Sequence, residues 1–288
     1  MKDQAENLRI RVQQNIAQKH AKTLAVVSGK GGVGKSNFSL NFSILLSQKG
    51  KRVLLFDMDI GMGNINILLG NITQKTIVDY FQHEVPFQDV ITKVSDNMSF
   101  ICGGTGLASI FTMSETQFER FVNEFSMVQK EYDYIIFDLG AGISSELSDF
   151  LKCVDEIVTI TTPEPTSIMD AYSIIKYIHL LNKQLPVYIV CNRAQREKQG
   201  RDTIIRLQNT VAKFLEKEII SLGSLPDSRV VVKAVTAQTP FSILNPNADI
   251  SAALNKLTTS YLLNNFKEEQ SGVKKSFLDK LQNFFIGR

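Results

Sequence analysis

A chain of 288 residues with 43% hydrophobic side chains can fill one large α/β core or two modest ones. Its three cysteines, Cys102, Cys153 and Cys191, are widely spaced and form no CxxC pair, which argues against a disulfide framework or a zinc site and favours a reducing compartment. The net charge of +3 conceals two basic ends, with five Lys/Arg against two Asp/Glu in residues 1–22 and four against one in 274–288, around a body of about −3; broad nucleic-acid coating is a poor fit to that distribution.

The N-terminus, Met1-Lys2-Asp3-Gln4, lacks the apolar stretch of a secretory leader. No run approaches the ~18 consecutive apolar residues of a spanning helix, so a cytoplasmic protein is expected. The segment from Asp3 to Arg9 reads as a short helix ahead of the first strand.

From Thr23 onward short apolar runs alternate with helix-length amphipathic segments. The runs Leu24–Ser28, Arg52–Asp57, Met98–Ile101, Tyr134–Asp138, Glu156–Thr161 and Val187–Cys191 read as strands, with Ile220–Leu222 weaker. Little polar alternation interrupts them, as expected for parallel strands covered on both faces. Helices are expected at Asn37–Gln48, Glu115–Lys130, Thr166–Asn182, Arg201–Lys217 and Ala248–Phe266. The predicted fold is α/β, one doubly wound and mostly parallel sheet with helical appendages at both termini.

Between the first strand and its helix lies Gly29-Lys30-Gly31-Gly32-Val33-Gly34-Lys35-Ser36. It matches GxxxxGK[ST] in the strand-then-helix context that gives the motif its meaning. Glycines let backbone N–H groups close on a phosphate and accept positive φ. Lys35 would reach the β- and γ-phosphates, Ser36 would ligate Mg²⁺, and the following helix would aim its N-terminal dipole at the anion.

Two strands end in carboxylates. Arg52–Asp57 runs into Asp57-Met58-Asp59-Ile60-Gly61, and Tyr134–Asp138 into Asp138-Leu139-Gly140-Ala141-Gly142. The C-terminal edge of an open α/β sheet is where ligands sit. A phosphoryl-transfer site there needs one carboxylate near the metal and one near the attacking water.

After Phe266, Lys267-Glu268-Glu269-Gln270-Ser271-Gly272 is polar and carries a helix breaker, so residues 267–273 read as a linker. Residues 274–288 then place Phe277, Leu278, Leu281, Phe284, Phe285 and Ile286 on one helical face, opposite Lys274, Lys275, Lys280 and Gln282. Ser276 suits an N-cap and Gly287 a stop. A basic amphipathic helix behind a linker suits an anionic membrane surface, with Phe277, Leu278, Leu281, Phe284 and Phe285 inserted. The same face could instead dock on the protein's own body, or alternate between the two.

The loop with its extra lysine, KGGVGKS, resembles the deviant Walker A motif of the MinD/ParA family. That resemblance implies an ATPase that forms an ATP-sandwich homodimer and is monomeric with ADP, with Mg²⁺ as cofactor. Lys30 would reach the partner's nucleotide, Asp59 would orient the attacking water, and Asp57 and Asp138 would hold the magnesium shell. Lys30, Lys35, Asp59 and Asp138 are the implied catalytic residues, and Asn64 would contact the dimer partner. Asn192 and Arg193 would meet adenine, Pro226 and Asp227 would border the base, and Glu164 in Thr162-Pro163-Glu164-Pro165-Thr166 would approach the partner's ribose. The family usually has proline where Gly140 stands, which should loosen the switch.

DQAENLR at Asp3–Arg9 resembles the DQAxxLR motif of the flagellar FlhG (YlxH/FleN) branch. It implies that residues 1–21, through Asp3, Gln4, Leu8 and Arg9, engage a signal-recognition-type GTPase of the FlhF kind, ahead of an ATPase domain at 22–266. It also implies control of flagellar number and placement, with flagellar C-ring proteins as possible partners. A division-site selector of the MinD type shares the core and tail but begins almost directly at the first strand. A ParA-like DNA partitioning protein would need the cluster Arg193, Arg196, Lys198, Arg201 and Arg206 to bind phosphates, and the tail fits that poorly. An iron–sulfur reductase needs cysteines close behind Asp138, and none occurs before Cys153.

Overall fold

In the computed structural model, which describes residues 20–59, 64–70, 75–83, 85–103, 114–140, 145–268, 277–278 and 280–281, the apolar runs line up in one eight-stranded sheet. In chain order the strands are β1 (Lys22–Val27), β2 (Val53–Met58), β3 (Ile91–Ser95), β4 (Met98–Ile101), β5 (Tyr134–Leu139), β6 (Glu156–Thr161), β7 (Val187–Ala194) and β8 (Ile220–Pro226). Their spatial order is β3-β4-β2-β5-β1-β6-β7-β8, and every pairing is parallel except β3 with β4. The strand β2 lies beyond β5 on one side of β1, while β6 lies on the other. The winding therefore reverses at the C-terminal end of β1, where open α/β sheets bind ligands.

The strands β2, β5 and β6 are buried along their whole length, which is why their sequences show no alternation. β3 is different: an irregular, half-exposed edge strand with Lys93 and a register shift. Charge and irregularity suit an edge that must not recruit further strands, and they also removed the apolar signal that would have predicted it.

Helices cover both faces. One face packs α1 (Lys35–Gln48), α9 (Phe241–Leu244) and α10 (Asp249–Glu268) around Phe38, Phe42 and Tyr261. The other packs α3 (Ile77–His83), α4 (Glu115–Gln129) and α6 (Pro165–Leu181) around Phe87, Phe125 and Ile175. The short α2 (Asn64–Leu68), α5 (Ser145–Cys153), α7 (Glu197–Leu215) and α8 (Arg229–Thr236) complete the set.

Several boundaries differ from the sequence expectation. α7 begins at Glu197, four residues ahead of Arg201, because Gly200 is a packing glycine and not a breaker. A Cβ at Gly200 would lie 2.4 Å from Cβ of Ser224 on β8, so only glycine lets helix and strand approach this closely. The closing helix continues through Lys267 and Glu268, so the expected linker starts later, and its remainder lies outside the described residues.

The face expected to enter a membrane is covered by protein in this structure. Phe277, Leu278 and Leu281 are buried in the same core as Phe125, Phe137 and Phe150, and the Phe277 ring lies 5.3 to 6.0 Å from those three rings. Lys280 Nζ donates to Asp155 Oδ1 at 2.9 Å. Of the two placements open to this face, this structure holds the docked one. An apolar stripe is satisfied equally well by a protein groove, and the groove is adjacent in the chain's own fold. Phe284 and Phe285 lie outside the described residues. Among the described residues, no helix is long and apolar enough to cross a membrane.

Candidate functional site

The loop from Gly29 to Ser36 leaves β1 and enters α1 through Gly34 at φ +90°. Positive φ is open to glycine at little cost. A Cβ at Gly34 would also sit 2.3 Å from Nδ2 of Asn192, and one at Gly29 would sit 2.3 Å from the Asp170 backbone in α6. The two glycines let the loop close tightly between α6 and β7. The first N–H groups of α1 then point into the cradle with no side-chain cap, as a phosphate site requires.

Lys35 is buried at 7% exposure, and its Nζ lies 3.0 Å from Asp138 Oδ1. Asp57 and Asp138 are register partners on β2 and β5, so two carboxylates stand side by side at the strand ends, both fully buried. Burial, and then the negative charge of Asp138, push the Asp57 carboxyl up to about 7, although amide hydrogen bonds from Asp59 and Ile65 and the charge of Lys35 oppose this. Asp138 Oδ2 is buried with no hydrogen-bond partner among the described residues. A lone buried carboxylate oxygen beside a second acid is a deficit of positive charge. Among the described residues no group of three His, Cys, Asp or Glu gathers to hold a metal by itself. That suits Mg²⁺, which takes one or two carboxylates and completes its shell with water and substrate phosphates.

The raised Asp57 has a stability consequence. A carboxyl that holds its proton up to about 7 in the fold, against 3.8 ordinarily, contributes stability at low pH that is lost as pH rises through the folded value. The nucleotide-free protein is therefore expected to lose unfolding free energy, on the order of a few kcal/mol, between about pH 4 and pH 7. Asp57→Asn should flatten that loss. Urea midpoints across this range check it, and parallel curves for the two proteins would exclude Asp57 as the titrating group.

Asp59 follows β2 and its amide donates to Asp57 Oδ1 at 3.1 Å. A Cβ at Gly140 would meet Asp59 Oδ1 at 3.4 Å, so the switch residues at the ends of β2 and β5 are in ordinary contact. Asn64 opens α2, and the next amide, Ile65, donates to Asp57 Oδ2 at 3.4 Å.

A cavity of about 580 Å³ opens beside the loop and gathers Gly34, Glu164, Asn192, Arg193, Pro226 and Asp227. The fold thus brings together segments more than a hundred residues apart in sequence. Phe38, Val231, Val232 and Phe241 supply apolar walls that no sequence motif marked, since each reads as an ordinary helix residue. Asn192 is already engaged: its Nδ2 donates to Val33 O at 2.8 Å and its Oδ1 accepts from Arg193 N at 2.9 Å. Each atom keeps one further position, a second N–H on Nδ2 and a second lone pair on Oδ1. Arg193 holds φ +56°, a left-handed conformation that costs a non-glycine residue of order 1 kcal/mol and that clusters at ligand sites.

Lys30 and Glu164, both expected to act on a partner subunit, meet each other within one chain. Lys30 Nζ lies 2.5 Å from Glu164 Oε2 and 3.4 Å from Thr166 Oγ1. The lysine's hydrogen bond and charge hold the Glu164 carboxyl below its ordinary range. Asp3, Gln4, Leu8 and Arg9 lie outside the described residues.

An AAA domain family (AAA_31) matches residues 21–190. Flagellum site-determining protein YlxH of Helicobacter pylori is 33% identical over 243 residues, covering 83% of this chain and 81% of that protein. Antiactivator FleN of Pseudomonas aeruginosa is 30% identical over 215 residues, covering 75% of this chain and 77% of its own. Among solved structures, septum site-determining protein MinD of Pyrococcus horikoshii, complexed with Mg-ADP, superposes with a TM-score of 0.66 at 21% identity, over 84% of this chain and 96% of that one. With the phosphate loop, the paired aspartates and the cavity at one sheet edge, the chain belongs to the AAA domain family and, within its MinD/ParA group, to the FleN/YlxH family.

Proposed function

We propose that this protein is an ATP-dependent, membrane-associating switch that regulates the number or placement of flagella. The observation that carries the reading is the meeting of Lys35, Asp57 and Asp138 beneath the loop, beside a cavity sized for a nucleotide. In this reading ATP lies along the loop with its base between Phe38 and the segment Pro226–Asp227. Ser36, Asp57 and Asp138 would hold Mg²⁺, and the ion would supply charge neutralisation for phosphoryl transfer. Lys35 leaves Asp138 for the phosphates, and Asp59 aligns the attacking water. Lys30 exchanges Glu164 of its own chain for the nucleotide of a second copy, which makes the dimer depend on ATP.

The two ends give the switch its outputs. Residues 1–21 engage a GTPase of the FlhF kind and stimulate it, with flagellar C-ring proteins as further partners. The C-terminal helix leaves its groove for an anionic membrane. Its docking site suggests how the site is coupled to it. Phe277 packs on Phe137, the neighbour of Asp138, and on Phe150 of α5, the helix after the switch. Movement of the switch is felt directly at the docked ring.

The test is the mass of the full-length protein by light scattering in ADP and in ATP, with and without anionic liposomes. A monomer in ADP and a liposome-bound dimer in ATP are expected; a mass that ignores the nucleotide sinks the switch. Lys30→Ala should keep nucleotide binding and weaken ATP-dependent dimerisation at least about tenfold, the scale of one buried charge contact. Pull-down with residues 1–20 as bait, recovering a signal-recognition-type GTPase, separates the flagellar output from a division-site one.

A further inference from the structure

We propose that Ser39 is a positioning residue that selects which oxygen of Asp138 faces the metal. This deepens the reading of Asp138 as a magnesium-side carboxylate and rests on it.

Asp138 Oδ1 accepts two hydrogen bonds, from Lys35 Nζ at 3.0 Å and from Ser39 Oγ at 2.8 Å. Its Oδ2 accepts none among the described residues. The asymmetry points one oxygen into α1 and leaves the other for the ligand. Ser39 lies one helical turn beyond Lys35 and is fully buried. Its hydroxyl also lies 3.1 Å from Lys35 O, a back-bond typical of helical serine. One hydroxyl carries one proton, and the nearer, charged Asp138 oxygen is the stronger acceptor.

The two donors differ in permanence. Lys35 has a long flexible stem and is drawn to phosphate when nucleotide enters the loop. Ser39 has a one-carbon stem on a helix buried nearly all round, so it stays. Once Lys35 departs, Ser39 is, among the described residues, the side chain that keeps Asp138 from turning about χ2 and sharing both oxygens with the site. Without it, the carboxylate must be ordered at the moment the metal arrives, and affinity for the metal falls.

The test is Mg²⁺ titration of fluorescent ADP binding to the full-length protein, comparing wild type, Ser39→Ala and Ser43→Ala. Ser43 is the control: its buried hydroxyl donates to Ser39 O at 2.7 Å in the same helix and does not reach Asp138. We expect Ser39→Ala to raise the half-saturating Mg²⁺ concentration about fivefold to tenfold, the scale of a charge-assisted hydrogen bond. ADP affinity in EDTA should be unchanged, and Ser43→Ala should match wild type in both. A wild-type Mg²⁺ midpoint in Ser39→Ala, or an equal shift in Ser43→Ala, overturns the role of Ser39 alone. Indifference of the wild-type protein to Mg²⁺ overturns the metal reading of Asp138 and this inference with it.

Discussion

Replacing Asp59 with alanine is expected to leave ATP bound and slow its hydrolysis by about two to four orders of magnitude, the usual worth of a group that handles the attacking water. Asp59 is well placed for that division of labour. It lies one residue beyond β2, with its amide tied to Asp57 Oδ1 and its carboxylate beside Gly140. It therefore borders the two metal-side acids without replacing either. Asp59 is neither part of the Gly29–Ser36 loop nor among the residues that line the cavity, so binding should persist. In the proposed switch hydrolysis returns the dimer to monomers, so the Asp59→Ala protein should accumulate as a dimer in saturating ATP. Phosphate release and light scattering read the two effects separately. A monomeric Asp59→Ala protein in saturating ATP would contradict the proposed mechanism.

Phe277→Ala is expected to lower the unfolding free energy of the nucleotide-free protein by about 2–4 kcal/mol. Phe277 is 1% exposed and packs on three aromatic rings; emptying such a position in a fixed core costs about 3–5 kcal/mol. Here the core is not fixed. In the proposed switch the C-terminal helix undocks as a unit, and the loss then cannot exceed the free energy of docking itself. Lys280 with Asp155, partly exposed, adds at most about 1 kcal/mol to that docking. Deleting 274–288 strips the same rings of cover, and its stability loss should equal that of Phe277→Ala if undocking sets the limit. Urea midpoints of the two proteins decide it. An unchanged midpoint in Phe277→Ala would show that the helix does not hold this groove in solution.

Much of the sheet was legible because its signal is local. β2 and β5 are apolar runs broken only by Asp57 and Asp138 near their ends. α8 and α9 were missed because α8 is short with only Ala234 buried and α9 is four residues long, so no apolar period announces them. The first turn of α7 was not legible, because a glycine that breaks a helix and one that lets a helix touch a strand look identical until Ser224 Cβ is seen 2.4 Å from where a Cβ on Gly200 would stand. In the site, Asn192 lines the cavity, and its engagement with Val33 O could not be read, since those residues are 159 positions apart.

The sequence by itself determined the phosphate loop, the acids at the ends of β2 and β5, and an amphipathic C-terminal stripe. Each depends on neighbours within a few residues, and glycine conformation, strand burial and helical periodicity act at that range. Only the tertiary structure decided what those groups meet. Asp138 has one oxygen held by Ser39 and one left over, Lys30 finds Glu164 of its own chain, and the C-terminal stripe lies on Phe125, Phe137 and Phe150. Apolar periodicity specifies that a face leaves water, and a lone carboxylate specifies that it needs a partner. Which surface or atom answers is set by chain segments brought together only when the sheet closes, because hydrophobic burial is non-directional and a charge is satisfied by whatever opposite group arrives.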